Sequence, residues 1–220
     1  DGSKETLTLD KSVTEYLETA KKIYDGEYSN NTSMWDNSWA ADMKDDSKVF
    51  CYFGCPWFIG SMQGNGATDG NWGAVTGPTS YHWGGTYVCV GKNTNNPELA
   101  AFLLYELTCD PDVGVEITNQ TGDCVNNKEA NARLIAGELS ADNAAAKFLG
   151  GQNPFKYFAP VAENIKIAPL SAYDQGCVEL IQNSFSDYFQ GKVTYDKAKK
   201  NFETAIEERY ADVKKVNWAK

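Results

Sequence analysis

Aromatic rings beside glycine residues are the groups in this chain best suited to contact with a ligand. Trp57 follows a Gly-Cys-Pro break at the end of an apolar run, and residues 81–85 read Tyr-His-Trp-Gly-Gly. An aromatic ring can cover the apolar C–H face of a sugar, and glycine lets backbone amides approach a ligand closely. These stretches are therefore candidates for ligand contact, and the candidate ligand-binding residues are Trp57, Tyr81, Trp83, Gly84 and Gly85.

The same residues also have a purely structural interpretation. Trp57 lies at the carboxyl end of a predicted strand, where ligands of α/β folds bind, but an aromatic residue there can instead pack beneath the next helix. The pair Gly84-Gly85 is equally typical of a tight turn that needs positive φ. The sequence leaves both interpretations open.

Catalytic groups are harder to assemble from this sequence. The only histidine is His82, and the sequence has no phosphate-binding loop, dinucleotide fingerprint or Gly-x-Ser-x-Gly motif. A glycoside hydrolase needs two carboxyl groups across a cleft. Asp69, Glu163 and Asp174 are candidates, but thirty acidic residues supply such sets by chance. We therefore expect neither catalysis nor a cofactor, and a glycan-acting enzyme or a strand-rich carbohydrate-binding or adhesin module is the alternative.

Charge and composition narrow the range of partners. The formal net charge of −10 disfavours binding to nucleic acid or to anionic membrane surfaces. No apolar run approaches the ~18 residues of a membrane span, so we expect no membrane insertion by this chain. The 6 tryptophans and 12 tyrosines are abundant enough to serve both a core and a sugar-binding surface.

The six cysteines are spaced too widely for a structural zinc site, because no Cys-x-x-Cys pair is present. An even number permits disulfides in an exported protein, although many buried cysteines are simply small apolar residues. Cys109 and Cys124 flank a predicted helix and loop, and we predict that they form a disulfide if any pair does.

The periodicity of apolar residues predicts a chain dominated by helices. We predict strands at Val49–Phe53 and Thr86–Val90, where β-branched and aromatic residues are dense. An extended crossing segment is predicted at 165–168. Capping residues, turn signals and apolar spacing predict helices at 10–25, 39–43, 113–117, 128–138, 141–149, 153–164, 172–190, from Pro97 to about 107, and from Thr194 to about 210.

The stretch 84–100 carries a recognisable order of residues, which continues in three other segments. These segments are 48–57 (KVFCYFGCPW), 148–165 and 188–210. In this order the chain resembles the carbohydrate-binding proteins of ABC importers, the maltodextrin-binding type of solute-binding protein. That family usually has a glycine in the turn before the strand at 49, where this chain has Asp46 and Ser47. The residues that carry the central resemblance are Gly84, Gly85, Lys92, Thr94, Asn96, Glu98 and Ala100.

The resemblance implies a fold and a domain organisation. The fold class is α/β: the C-terminal half of a two-lobed, type II periplasmic-binding-protein-like fold, rich in helices. Residues 1–78 and 128–220 would belong mostly to the second lobe, and residues 79–127 to the first lobe with hinge crossings. Because such proteins are about twice this long, we interpret the chain as a fragment that starts just before a helix of the parent fold.

The resemblance also implies a function. The protein would capture a sugar or oligosaccharide outside the cell and deliver it to the subunits of an ABC permease. It would be extracellular, as a lipid-anchored protein of the cell surface, or periplasmic. A fragment that lacks half of the fold would tend to self-associate through exposed strand edges.

Two further site residues follow from the resemblance. In the family, the first turn of the long helix after residue 172 faces the ligand, so Tyr173 would stack on a sugar and Asp174 would accept hydroxyl hydrogen bonds. An alternative is that Asp174 only complements the positive end of the helix.

Overall fold

The computed structural model describes residues 5–166 and 170–219, and in these residues helices dominate. A π-helical turn, Leu134–Glu138, directly follows α6. The elements in chain order are β1 (Thr6–Leu9), α1 (Lys11–Asp25), α2 (Asn37–Ala41), α3 (Phe58–Gly64), α4 (Pro97–Cys109), α5 (Pro111–Thr121), α6 (Lys128–Arg133), α7 (Ala144–Phe148), α8 (Phe155–Glu163), α9 (Asp174–Phe189), α10 (Tyr195–Arg209) and β2 (Lys215–Trp218).

The described residues form two compact units. One contains residues 5–32 and 170–219, and the other contains residues 33–166. The prediction that the chain is rich in helices is therefore confirmed. The described residues also contain a two-stranded parallel sheet. The lobe boundaries and hinge crossings remain predictions. The predicted extended segment 165–168 overlaps residues 167–169, which lie outside the described residues.

The first unit is built on the pairing of β1 with β2 and on the packing of α1, α9 and α10. The two strands run parallel, with Leu7 opposite Val216. Local signals set the helix ends: Asp10 caps α1 by accepting from the amide of Ser12 at 2.8 Å, and Thr194 caps α10. The buried core of this unit is Leu9, Leu17, Cys177, Ile181, Phe185, Ala198, Phe202, Ile206 and Val213.

The second unit has two smaller cores. One surrounds Phe58 and Phe148, and the other surrounds Leu134 and Phe155. The fully buried Asn143 supports the unit with both ends of its amide: Nδ2 donates to the carbonyl of Thr118 at 2.7 Å, and Oδ1 accepts from the amide of Ala146 at 3.0 Å. This side chain therefore caps α7 and ties it to α5.

The two predicted strands of the second unit are wrong. Residues 49–53 and 86–90 are irregular in the structure, and Phe50 and Tyr87 are 95% and 84% exposed. A strand needs a neighbour to accept its backbone hydrogen bonds, and residues 33–166 supply none to these runs. The start of the chain also differs from prediction, because Thr6–Leu9 is a strand rather than the lead into α1 alone.

Helix α4 is apolar on most of its surface and yet contains no buried residue. Its side chains Leu99, Phe102, Leu103 and Leu107 are all at least half exposed. The chain exposes 14805 Å² in total. One folded chain of this mass is expected to expose about 10,000 Å², and two separately folded units of these lengths about 12,000 Å². The exposed area of this chain is roughly 3,000 Å² more than two separately folded units would expose, and the apolar side chains of α4 contribute to the excess.

We expect this exposed apolar surface to drive self-association of the chain. Sedimentation velocity at micromolar concentration should give a mass above that of the monomer. Leu103→Lys on α4 should shift the population toward monomer, because it places a charge in the apolar surface. The control Thr108→Lys changes charge equally near the end of the same helix and should leave the association unchanged. A tight wild-type monomer with uniform amide protection across 79–127 would contradict this expectation.

Core and surface positions of the first unit should differ sharply in their effect on stability. Phe202→Ala removes a fully buried ring and should lower the free energy of unfolding by about 3–5 kcal/mol. Val178→Ala on α9 changes a side chain that is 52% exposed and should shift it by no more than about 0.5 kcal/mol. Urea denaturation followed by circular dichroism measures both, and equal losses would show that this packing is assigned wrongly.

Candidate functional site

Five of the six tryptophans lie between residues 33 and 96, and their rings form one contact network. Trp35 stacks on Trp57 with ring centroids 6.0 Å apart and an interplanar angle of 17°. Trp83 meets Trp57 edge-on at 5.0 Å. We call this network the aromatic cluster; its members are Trp35, Trp39, Tyr52, Trp57, Phe58, Trp72 and Trp83.

The aromatic cluster has a buried base and an exposed rim. Phe58 is buried, and Trp39, Tyr52 and Trp72 pack against the same core. At the rim, Trp35 is 60% exposed, and Trp57 and Trp83 are partly exposed. The residues at the base therefore fit the structural interpretation. The residues at the rim are accessible to a ligand and fit the ligand-binding interpretation.

Trp57 connects the base to the rim because of the break that precedes it. The residue is the N-cap of α3, and its ring contacts Phe58 below and Trp83 beside it. Gly54 allows this turn, because a Cβ at that position would lie 2.7 Å from the Phe58 ring. The indole Nε1 of Trp57 donates to the carbonyl of Trp83 at 3.4 Å, and the Cys55 thiol donates to the same oxygen at 3.6 Å.

The loop after Trp83 combines a special backbone conformation with open space. Gly84 and Gly85 have φ of 71° and 149°, which L side chains rarely adopt. No heavy atom of the described residues lies within 4 Å of a Cβ built on either glycine. The backbone conformation at these two positions therefore favours glycine. The space beside them leaves room for a ligand to contact the backbone. Burial raises the pKa of nearby Tyr81, with the charge of the Cys55 thiolate as the smaller cause.

Tyr52 carries a buried hydroxyl at the base of the aromatic cluster. Its oxygen is inaccessible to water and has no hydrogen-bond partner in the part of the chain that the structure describes. Burial, followed by the negative charge of Asp42, raises the pKa of Tyr52 to about 12. An orphan hydroxyl of this kind is destabilising unless water or a ligand satisfies it.

The predicted site residues Tyr173 and Asp174 belong to the other unit, at the start of α9. Both carboxylate oxygens of Asp174 accept from Ser171, one from its amide and one from its hydroxyl, each at 2.8 Å. The Tyr173 hydroxyl donates to Asp212, and its ring meets Tyr210 edge-on at 4.9 Å. These contacts support the helix-start interpretation of Asp174, and ligand contact by either residue remains a prediction.

The predicted Cys109–Cys124 disulfide is not formed in the structure, where all six cysteines are free thiols. Cys109 is exposed at the end of α4, whereas Cys124 is half-buried with its thiol near the carbonyl of Val125. Burial raises the pKa of Cys124 to about 11, with the charge of Asp123 as the smaller cause. Its thiol is therefore protonated at neutral pH and a poor nucleophile.

Other kinds of site were sought in residues 5–166 and 170–219. These residues contain no group of three or more His, Cys, Asp or Glu side chains placed to hold a metal ion. None of the described helices is long and apolar enough to cross a membrane. A shallow depression of about 360 Å³ lies at Glu207, Ala211, Val213 and Lys214, with no aromatic lining.

Sequence reasoning missed Trp35, which is not among the predicted site residues. Its ring lies against Trp57, a residue 22 positions later, and no local pattern encodes that contact. The one available signal is the spacing of Trp35 and Trp39, whose rings also meet at 5.1 Å.

Comparison with known proteins does not place this chain in a family. No protein-family model matches it, and comparisons with curated proteins and with solved structures find no match either.

The unsatisfied hydroxyl of Tyr52 predicts how a Tyr52→Phe variant should behave. Tyr52→Phe keeps the ring contacts and removes the unsatisfied group, so the free energy of unfolding should stay the same or rise by up to about 1–3 kcal/mol. A difference titration of tyrosinate absorbance, wild type minus Tyr52→Phe, should reveal one tyrosine that ionises near pH 12. Because the pKa is raised in the folded state, its ionisation should destabilise the protein only above about pH 10. A clear loss of stability in Tyr52→Phe would mean that the hydroxyl has a partner.

Proposed function

We propose that this chain is the sugar-binding part of a solute-binding protein that serves an ABC importer. The observation that carries the proposal is the rim of the aromatic cluster: indole rings of Trp57 and Trp83 beside an open Gly84-Gly85 backbone. The order of motifs along the sequence supports the same conclusion. In this proposal the fold is the C-terminal half of a two-lobed, periplasmic-binding-protein-like architecture.

The chemistry of the rim suits a carbohydrate. A pyranose has apolar C–H faces, which rings can cover, and hydroxyl groups at its edge, which backbone amides can bind. Covering about 50–80 Å² of apolar sugar surface with one indole contributes roughly 1–2 kcal/mol, or a five- to thirtyfold gain in affinity. The open backbone at Gly84 and Gly85 would supply the directional hydrogen bonds that fix the orientation of the ring.

The proposed mechanism is capture and release without catalysis. Binding would close the two lobes of the parent protein, because contacts made only in the closed state stabilise that state. Tyr173 and Asp174, in the first turn of α9, remain predicted ligand-binding residues. The closed protein would then dock on the permease pair outside the cell, as a lipid-anchored or periplasmic protein, and no cofactor is required.

The two alternatives are less well supported. A carbohydrate-binding or adhesin module would normally be rich in strands, whereas helices dominate the described residues. A glycan-acting enzyme would release reducing sugar from a glycan mixture, which a simple assay detects. We expect no release.

A glycan array followed by calorimetric titration tests the proposal. The array should identify a sugar that binds the 220-residue chain, and Trp57→Ala should weaken its binding by about five- to thirtyfold. Trp57→Phe is the matched control, since it keeps a ring against Phe58 and Trp83 and should lose less affinity. Because Trp57 is half-buried, a melting curve must show that each variant is folded. Absence of any bound glycan, or unchanged affinity in folded Trp57→Ala, would overturn the proposal.

A further inference from the structure

Trp35 adopts a backbone conformation that is unfavourable for its side chain. The described residues contain three non-glycine residues at positive φ, and Trp35, with φ of 74°, is the aromatic one among them. A bulky residue in this region is an outlier and persists only when other contacts hold it. The strain therefore calls for an explanation from the contacts of the ring.

The contacts of the Trp35 ring are with two other tryptophans. The ring lies almost parallel to that of Trp57, and its edge approaches Trp39. Even so, the residue remains 60% exposed. The strained backbone thus places a large exposed ring over one face of Trp57, the indole to which we assign sugar contact.

The spacing of the two rings is too small for a sugar to lie between them. Atoms in van der Waals contact are about 3.5–4 Å apart, so a pyranose held between two rings needs a separation of roughly 7–8 Å. The centroids of Trp35 and Trp57 are 6.0 Å apart. The ring planes are no farther apart than their centroids, so a sugar can lie between these two rings only after Trp35 has moved outward by at least roughly 1–2 Å.

We propose that Trp35 is a ligand-binding residue that acts as a movable wall, covering Trp57 in the free protein and closing over a bound pyranose. This inference rests on the proposed sugar-binding function and adds a residue and a motion to it. A parallel pair of rings selects a flat ligand with two apolar faces, so the preferred ligand is a sugar whose ring hydroxyls are mostly equatorial. A sugar with an axial hydroxyl on the covered face would be excluded.

The wall has two opposing effects on binding rates. In the free protein it blocks the face of Trp57, so removing the ring should raise the association rate constant. In the complex it covers the second face of the sugar, so removing the ring should raise the dissociation rate constant by about five- to thirtyfold. A residue that only stabilises the loop would change neither rate in the folded protein.

The stacked pair can first be tested without a ligand. Neighbouring indoles whose transition dipoles are skewed give exciton couplets in the far-ultraviolet circular dichroism spectrum. Because Trp35 also meets Trp39 and Trp57 also meets Trp83, the share of the stacked pair is the part of the couplet that both Trp35→Phe and Trp57→Phe remove. Saturation with the sugar found on the array should reduce the couplet in the wild type, because the rings separate. An unchanged couplet on saturation would overturn the motion of Trp35.

Stopped-flow fluorescence with the same sugar then measures the rates. Trp35→Gly removes both the ring and the strain, whereas Trp35→Ala removes only the ring. Both should raise the two rate constants alike, and Trp35→Gly should melt at the higher temperature. Met34→Ala, in the same loop, is the control and should behave as the wild type.

The outcomes separate this inference from the function on which it rests. If the sugar binds and Trp57→Ala weakens it, but both rates stay unchanged in Trp35→Gly, then Trp35 is not a wall and the inference alone fails. If no sugar binds the wild-type chain, both fail, and the couplet of the free protein then reports only a structural stack.

Discussion

Contacts between aromatic rings hold residues 33–96 together, because this stretch has only two short helices and no regular strand. The carbonyl of Trp83 adds the link on which the candidate site depends, since it accepts from both the Trp57 indole and the Cys55 thiol. Together with the edge-on contact between the Trp83 and Trp57 rings, these hydrogen bonds fix the glycine loop beside Trp57. Aromatic rings arranged around the carbonyl oxygen of Trp83 therefore form the candidate site. Its rim is exposed because neighbouring side chains surround the rings only at the base.

Helix ends could be predicted from the sequence because their signals are local. Gly26 closes α1, Pro97 opens α4 and Thr194 caps α10, as the residue types indicate. The cap of α1 is Asp10, whose carboxylate accepts from the amide of Ser12. The strands predicted at 49–53 and 86–90 are wrong, because composition gives a propensity to pair but does not supply the partner.

The residues of the candidate site also differ in whether local sequence alone could predict their structure. The glycine requirement at Gly84 and Gly85 follows from residue type alone, as does the cap-like role of Asp174 beside Ser171. The position of Trp35 over Trp57 and the orphan hydroxyl of Tyr52 depend on contacts between residues far apart in sequence. Residue type thus indicated the local backbone requirements, whereas the contacts of Trp35 and Tyr52 required the fold.

The parallel pairing of β1 with β2 has a mechanical consequence. The chain leaves the pair at Glu5 on one side and at Ala219 on the other, and both positions are hydrogen-bonded: the carbonyl of Glu5 accepts from the amide of Lys215 at 3.0 Å, and that of Leu9 accepts from the amide of Ala219 at 3.1 Å. A pulling force applied across these two positions would act along the strands and load all of their hydrogen bonds at once, in shear. The short sheet thus acts as a clasp that resists tension better than it would if its bonds were peeled apart singly.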